Sequence, residues 1–202
     1  MNALLFSLFM GAAMLLPETP SPYTLGDKVE EFSLVNAVNN KRVSLSDYAT
    51  QKGVVIIFSS HSCPYSKLYE DRIIQLANDF EQHNIKFILI NPNCAIRGSA
   101  EESKEAMAKR AAEKNYSFPY LIDDNATNLQ ARFEASRTPE CFVLKNIDGH
   151  FIIHYHGAID DNPQIASDVS YNYLKEALTC LAHDKALRVN EKKAIGCMIK
   201  RY

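Results

Sequence analysis

The chain has 202 residues, 47% of them hydrophobic, and a formal net charge of -2. That length suits one α/β domain with a full core. Charge so near balance, with basic residues scattered rather than striped, excludes an electrostatic case for nucleic-acid binding. The five cysteines, Cys63, Cys94, Cys141, Cys180 and Cys197, include no C-x-x-C pair and are too sparse for a structural disulfide scaffold.

Residues 1–16 are apolar and uncharged, and a proline-rich stretch runs from Pro17 to Pro22. The apolar run is shorter than the roughly 20 residues of a membrane span. It resembles the apolar core of a signal peptide, with Gly11 and Ala13 as small residues before a cleavage point, although no Lys or Arg precedes it. The expectation is export to the periplasm or outside the cell, with membrane contact only through this segment if it stays uncleaved. A cytoplasmic protein is expected if the segment is not functional. Residues 1–22 are therefore set apart as signal-like segment and linker, 23–186 as the folded domain, and 187–202 as a C-terminal tail.

"EFSLVNAVNNKRVSLSDY" alternates on both sides of Asn39-Asn40, a pair that tolerates positive φ, and predicts a hairpin. Gly53 to Phe58, "GVVIIF", is a continuous apolar run, as in a strand covered on both faces. From Cys63 the period changes: Tyr69, Ile73, Leu76, Ala77 and Phe80 share one helical face. "KFILIN" (Lys86 to Asn91) is a second buried strand, completing β-α-β. Ser99 to Asn115 predicts an Ala-, Glu- and Lys-rich helix, "SFPYLIDD" a short extended piece, and Asn128 to Phe133 a helical turn. "CFVLKN" and "FIIHYH" flank a strong Asp148-Gly149 turn signal. Leu174, Ala177, Leu178 and Leu181 mark the last helix, and beyond about Leu187 no firm structure is assigned. The order resembles an α/β thioredoxin-like fold with an N-terminal β-hairpin extension and a central mixed sheet flanked by helices.

Cys63 stands where a strand gives way to a helix. Unpaired N–H groups and the positive dipole end of that helix stabilise an anion. For a thiol the anion is the reactive form, and such positions lower its pKa to roughly 3.5–7.5. Pro64 suits the first helical position, Ser66 can donate a hydroxyl hydrogen bond to the sulfur, and His61 can add positive charge nearby. This placement makes Cys63 a candidate nucleophile.

"FSSHSCPYSK" resembles the active-site stretch of thioredoxin-like redox proteins. Cys63 matches their attacking cysteine and Ser66 takes the place of the second, so "CPYS" is a monothiol version, similar to the glutaredoxin C-P-Y-C pattern. "SRTPECFVLKNIDGHFIIHYHGAIDDNP" resembles the second half of the redoxin group, which includes alkyl hydroperoxide reductase and thiol-specific antioxidant proteins. There Thr138-Pro139 matches the cis-proline loop facing the active cysteine. "FPYLIDD", "GAIDDNP" and "AIGCMIK" are similar to a peroxiredoxin-like branch with a C-x-x-C-P motif, whose second cysteine falls on Cys63 and first on Ser60. The resemblance spans Tyr23 to Lys200.

The resemblance implies a thiol oxidoreductase or antioxidant protein acting through Cys63, with Ser66, His61, Thr138 and Pro139 around it and no cofactor required. Its partners would be protein or small-molecule thiols, disulfides or peroxides. Two departures shape the expectation. "SSHS" lacks the P-x-x-x-T-x-x-C residues that align a peroxide, so peroxide reduction should be slow. Ser60 and Ser66 are both serine, so oxidised Cys63 has no local partner and should persist as an adduct. A resolving cysteine must come from elsewhere: Cys197 in the tail is the first choice and Cys94 the second, whereas Cys141 and Cys180 are expected to be buried. Two rival readings remain. One is a redox-inert binding module that keeps the groove alone. The other is a copper or zinc metallochaperone using Cys63, His61, His154 and His156, the last two lying two apart on one strand.

Overall fold

A computed structural model describes residues 21–94, 99–124 and 126–200. The signal-like segment proposed for the N-terminus lies outside them up to residue 20. Among the described residues no helix is long and apolar enough to cross a membrane.

The chain runs as β1 (Ser33–Asn36), β2 (Arg42–Ser44), β3 (Gly53–Phe58), α1 (Pro64–Glu81), β4 (Ile85–Asn91), α2 (Lys104–Glu113), β5 (Tyr120–Ile122) and α3 (Leu129–Arg132). It continues with β6 (Arg137–Thr138), β7 (Glu140–Ile147), β8 (His150–Gly157), α4 (Tyr173–Ala182), β9 (Glu191–Lys192) and β10 (Cys197–Met198). Eight strands form one mixed sheet in the order β2-β1-β5-β4-β3-β7-β8-β9, and β10 pairs with β6 in a separate ladder. The parallel β3–β4 pair is joined through α1, and β7 adds antiparallel to the other side of β3.

Every residue of β3 is buried. Val55 and Ile57 join a cluster with Tyr69, Ile73, Leu76 and Phe80 of α1 and Leu174, Leu178 and Leu181 of α4. Val54, Ile56 and Phe58 alternate into a second cluster with Phe133, Phe142 and Phe151. The unbroken apolar run of β3 thus reflects a strand covered on both faces. The β1–β2 hairpin turns through Asn40 at φ 61°, and the β7–β8 hairpin through Asp148 and Gly149, both at positive φ.

Two regions differ from the sequence reading. The predicted helix from Ser99 begins as a 3-10 turn, Ala100–Glu102, before Ser103 caps α2 by accepting the Ala106 N–H. The tail is ordered rather than unassigned. β9 pairs in parallel with β8, and β10 lies antiparallel to β6. Gly157, at φ 125°, makes the β9 crossing possible, because a Cβ there would meet Lys192 backbone. These strands are two residues each, too short to show any period.

Candidate active site

Cys63 is the N-cap of the 18-residue helix α1, with Pro64 in its first turn, as the strand-to-helix placement predicts. Its side chain is buried rather than open to solvent. The sulfur lies 3.0 Å from the Thr138 carbonyl oxygen, and the Thr138–Pro139 bond is cis. The loop predicted to face the cysteine therefore does so.

Cys63 is bonded to Cys197, with Cα atoms 6.0 Å apart across 134 residues of sequence. The partner is the tail cysteine placed first among the resolving candidates, and it corrects the expectation that oxidised Cys63 persists as an adduct. The tail delivers its cysteine as an added strand: Cys197 stands opposite Thr138 and Met198 opposite Arg137, and the Ile199 N–H donates to the Ser136 carbonyl. Ala194 and Ile199 are buried on either side of the cysteine. Cys94, the second choice, faces Met107 instead, its sulfur 2.9 Å from the thioether. Burial, with Glu102 and Asp123 nearby, pushes the Cys94 thiol up to about 12, which makes it a poor nucleophile. Cys141 is buried as expected, and burial pushes its thiol up as well. Cys180 is only half-buried, because it sits beside the Leu174–Leu178–Leu181 stripe rather than on it.

Ser66 and Thr138 are both buried, and among the described residues neither Ser66 Oγ nor Thr138 Oγ1 has a hydrogen-bond partner. Ser66 lies one helical turn beyond Cys63, where its hydroxyl can turn toward the sulfur. His61 is half-buried and lines a cleft of about 440 Å³ with Lys67, Lys109 and Arg110.

Two carboxylates that the sequence reading passed over hold the loops around the sulfur. Glu102 is 2% exposed and accepts from Ser60 Oγ at 2.5 Å, the Ser62 N–H at 3.1 Å, the His61 N–H at 3.3 Å and Asn91 Nδ2 at 2.7 Å, and also from Ser62 Oγ. Burial alone would raise its pKa, but the hydrogen bonds from Ser60, Ser62 and Asn91 outweigh it and hold the carboxyl below its ordinary value. Glu140, likewise buried, accepts the N–H groups of Ser136 at 2.7 Å and Arg137 at 2.9 Å and lies 3.1 Å from His156 Nε2. Burial opposes its ionisation too, and the bonds from His156, Ser136 and Arg137 again prevail. No local pattern marks either residue: each reaches its loop only through the tertiary fold.

The structure does not assemble the metal-site candidates. His156 stacks on Phe142 with centroids 4.6 Å apart and pairs with Glu140. A register shift between Val143 and Leu144 interrupts the alternation that was to align His154 with His156. His154 Nε2 is buried without a partner among the described residues, and burial followed by Lys145 lowers that ring's pKa. Among the described residues no three His, Cys, Asp or Glu side chains are grouped to hold a metal ion.

The sequence model of the AhpC/TSA family matches residues 25–162. An uncharacterized conserved protein from Geobacillus kaustophilus is 29% identical, with a TM-score of 0.78 over 89% of this chain and 93% of its own. A hypothetical protein from Sinorhizobium meliloti 1021 is 26% identical, with a TM-score of 0.77 over 89% and 95%. Peroxidoxin BcpB from Mycobacterium tuberculosis shares the fold at 18% identity, with a TM-score of 0.56 over 80% and 98%. No curated protein matches the sequence significantly.

Proposed function

The chain belongs to the AhpC/TSA family of thiol-based redox proteins, and on that premise we propose that it is a two-cysteine thiol oxidoreductase, with Cys63 as nucleophile and Cys197 as resolving thiol. The observation that carries this reading is the disulfide between them, made by a tail strand seated on the cis-proline loop. In the reduced protein the Cys63 thiolate attacks one sulfur of a substrate disulfide. A mixed disulfide forms, and the other substrate sulfur leaves as a thiolate that takes up a proton. The Cys197 thiolate then attacks Cys63 Sγ, so that Cys63–Cys197 forms and the second substrate thiol departs. Two electrons have passed to the substrate, and an external dithiol must return them.

A peroxide enters the same cycle by O–O cleavage. Cys63 becomes a sulfenic acid as an alcohol or water leaves, and condensation with Cys197 releases water. Disulfides are the better-supported substrates. "SSHS" carries neither the proline nor the threonine that aligns a peroxide, and the N–H groups of His61 and Ser62 already donate to Glu102. Ser66 and Thr138 are assigned as hydroxyl groups around the thiolate, and Pro139 as the floor of the substrate groove. Export through residues 1–22 belongs to the same proposal, since an oxidising compartment is where such a disulfide persists.

The test is mild diamide oxidation of the fully reduced protein, followed by non-reducing peptide mapping and an insulin-type disulfide-reductase assay. A Cys63–Cys197 peptide should form quantitatively. Cys197→Ser should leave Cys63 trapped as adducts, and Cys63→Ser should abolish turnover. Turnover surviving Cys63→Ser would rule out the assignment.

A further inference from the structure

The tail shows, residue by residue, what the groove over Thr138 accepts. Its backbone pairing with Arg137 and Thr138 is blind to sequence, as strand addition generally is. Selectivity has to come from side-chain positions along the added strand, and two of these are constrained.

The first is the residue before the cysteine. A Cβ on Gly196 would lie 2.2 Å from the Thr138 carbonyl oxygen, 2.8 Å from its carbon and 3.2 Å from Pro139 N. These are backbone atoms of the loop that touches the Cys63 sulfur, so they cannot withdraw without altering that contact. Only glycine fits there. The second is the residue two after the cysteine. Ile199 is 7% exposed and belongs to the apolar cluster that includes Phe133, Ala135 and Ile90, and its N–H donates to Ser136. Met198, between them, is 71% exposed and is unconstrained.

We propose that this groove selects partner proteins whose reactive cysteine lies in an extended segment of the pattern Gly-Cys-x-aliphatic, and that the tail is its resident copy of that segment. The inference deepens the preceding proposal and rests on Cys63 as the nucleophile. Once Cys63–Cys197 is reduced, a two-residue ladder, the burial of Ala194 and Ile199, and hydrogen bonds from the Ile199 N–H to Ser136, from Arg137 to the Gly196 carbonyl and from the Lys200 N–H to Asn93 keep the tail seated. A partner segment of the same pattern can take its place. The Cys63 thiolate attacks the partner cysteine's sulfur in a disulfide, the distal sulfur leaves as a thiolate, and the partner is held on the strand until the tail re-enters. Cys197 then attacks Cys63 Sγ and expels the partner as a thiol. Tail and partner occupy the strand position alternately, so resolution and product release are one strand exchange.

The experiment uses the full chain carrying Cys197→Ser and heptapeptides of residues 194–200 whose cysteine is activated as the mixed disulfide with 5-thio-2-nitrobenzoate. Release of the coloured thiolate gives the rate, and the mass of the Cys63 adduct confirms which sulfur was attacked. The parent peptide should react about ten-fold faster than its Gly196→Ala and Ile199→Ser versions, the ratio that roughly 1.4 kcal/mol of lost fit gives. A Met198→Ser peptide should stay close to the parent. Equal rates for all four, while Cys63 still reacts normally with the small disulfide 5,5′-dithiobis(2-nitrobenzoate), would overturn the selectivity and leave the nucleophile assignment standing. Failure of Cys63 to react with that small disulfide would overturn both.

Discussion

Two loops meet at Cys63, and each is held by a buried carboxylate that accepts backbone N–H groups. Before the cysteine, Glu102 gathers Ser60, His61 and Ser62, with Asn91 completing the set. Across from it, Glu140 gathers Ser136 and Arg137 and shares its remaining charge with His156. The device is the same and the partners differ. Every donor to Glu102 in this set is neutral, so that loop is fixed wherever the carboxyl is ionised. Glu140 leans partly on the His156 imidazole, which is 30% exposed and stacks on Phe142. One side of the site is a fixed wall. The other, which carries the tail and on our proposal the substrate, rests partly on a side chain that solvent reaches.

The largest effect should come from breaking the fixed side. Glu102→Ala strands buried donors on Ser60 and Asn91 at once and should cost about 3 kcal/mol or more, read as a lower denaturation midpoint of the oxidised protein. Glu102→Gln keeps the shape but removes a negative charge held by residues next to Cys63. In the reduced protein it should lower the pH midpoint of Cys63 alkylation by about one unit. A midpoint that stays put would mean that this carboxylate positions the loop without acting on the sulfur.

How much of this was legible follows from what carries a period. The buried strands β3 and β4, the α1 stripe from Tyr69 to Phe80 and the Asp148-Gly149 turn all repeat or punctuate locally, and they appear where the sequence places them. Cys63 and the Thr138–Pro139 loop were readable because a strand end, a proline and the residues of a known motif stand beside them. Glu102 was not, since it sits in a Glu-Glu pair of which Glu101 is exposed and Glu102 is not. Only the packing of a distant loop separates the two. The tail failed for a related reason: β9 and β10 are held by register against β8 and β6 and have no amphipathic pattern of their own. Cys197 was among the candidates, but a bond spanning 134 residues is decided by topology.

A smaller effect should separate the two clamps by pH. Glu140 and Glu102 both have folded pKa values below the ordinary glutamate value. The stability each adds is therefore complete above about pH 4.3 and is lost as pH falls through its folded value. Glu140→Gln can keep one oxygen where Oε2 accepts both loop N–H groups but removes the carboxylate that faces His156, and should cost about 1–2 kcal/mol at neutral pH. Its denaturation midpoint should fall less steeply on acidification than that of the parent, because one of the two carboxyls has gone. An acid limb of unchanged slope would assign the whole acid sensitivity to Glu102 and to groups outside the site.

The smallest change in stability, and the sharpest on chemistry, should come from Ser66→Ala. Ser66 Oγ is buried without a partner among the described residues while Cys63 is in its disulfide. Removing it from the oxidised protein breaks no hydrogen bond, and the denaturation midpoint should move by less than the equivalent of about 0.5 kcal/mol. Reduction changes what the hydroxyl faces. A Cys63 thiol can donate to the Thr138 carbonyl 3.0 Å away, an interaction that favours the neutral form. The thiolate cannot donate, and it needs donors of its own. On our proposal the α1 N-terminus supplies part of that support, and Ser66, one turn along, supplies a hydroxyl without another partner among the described residues. Ser66→Ala should therefore raise the alkylation midpoint of Cys63 by about one unit and slow its reaction at neutral pH. Ser66→Thr, which keeps the hydroxyl, should restore most of the shift. A purely structural serine would give the reverse pattern, a loss of stability with the Cys63 midpoint unmoved, and that result would leave the helix terminus as the support of the thiolate.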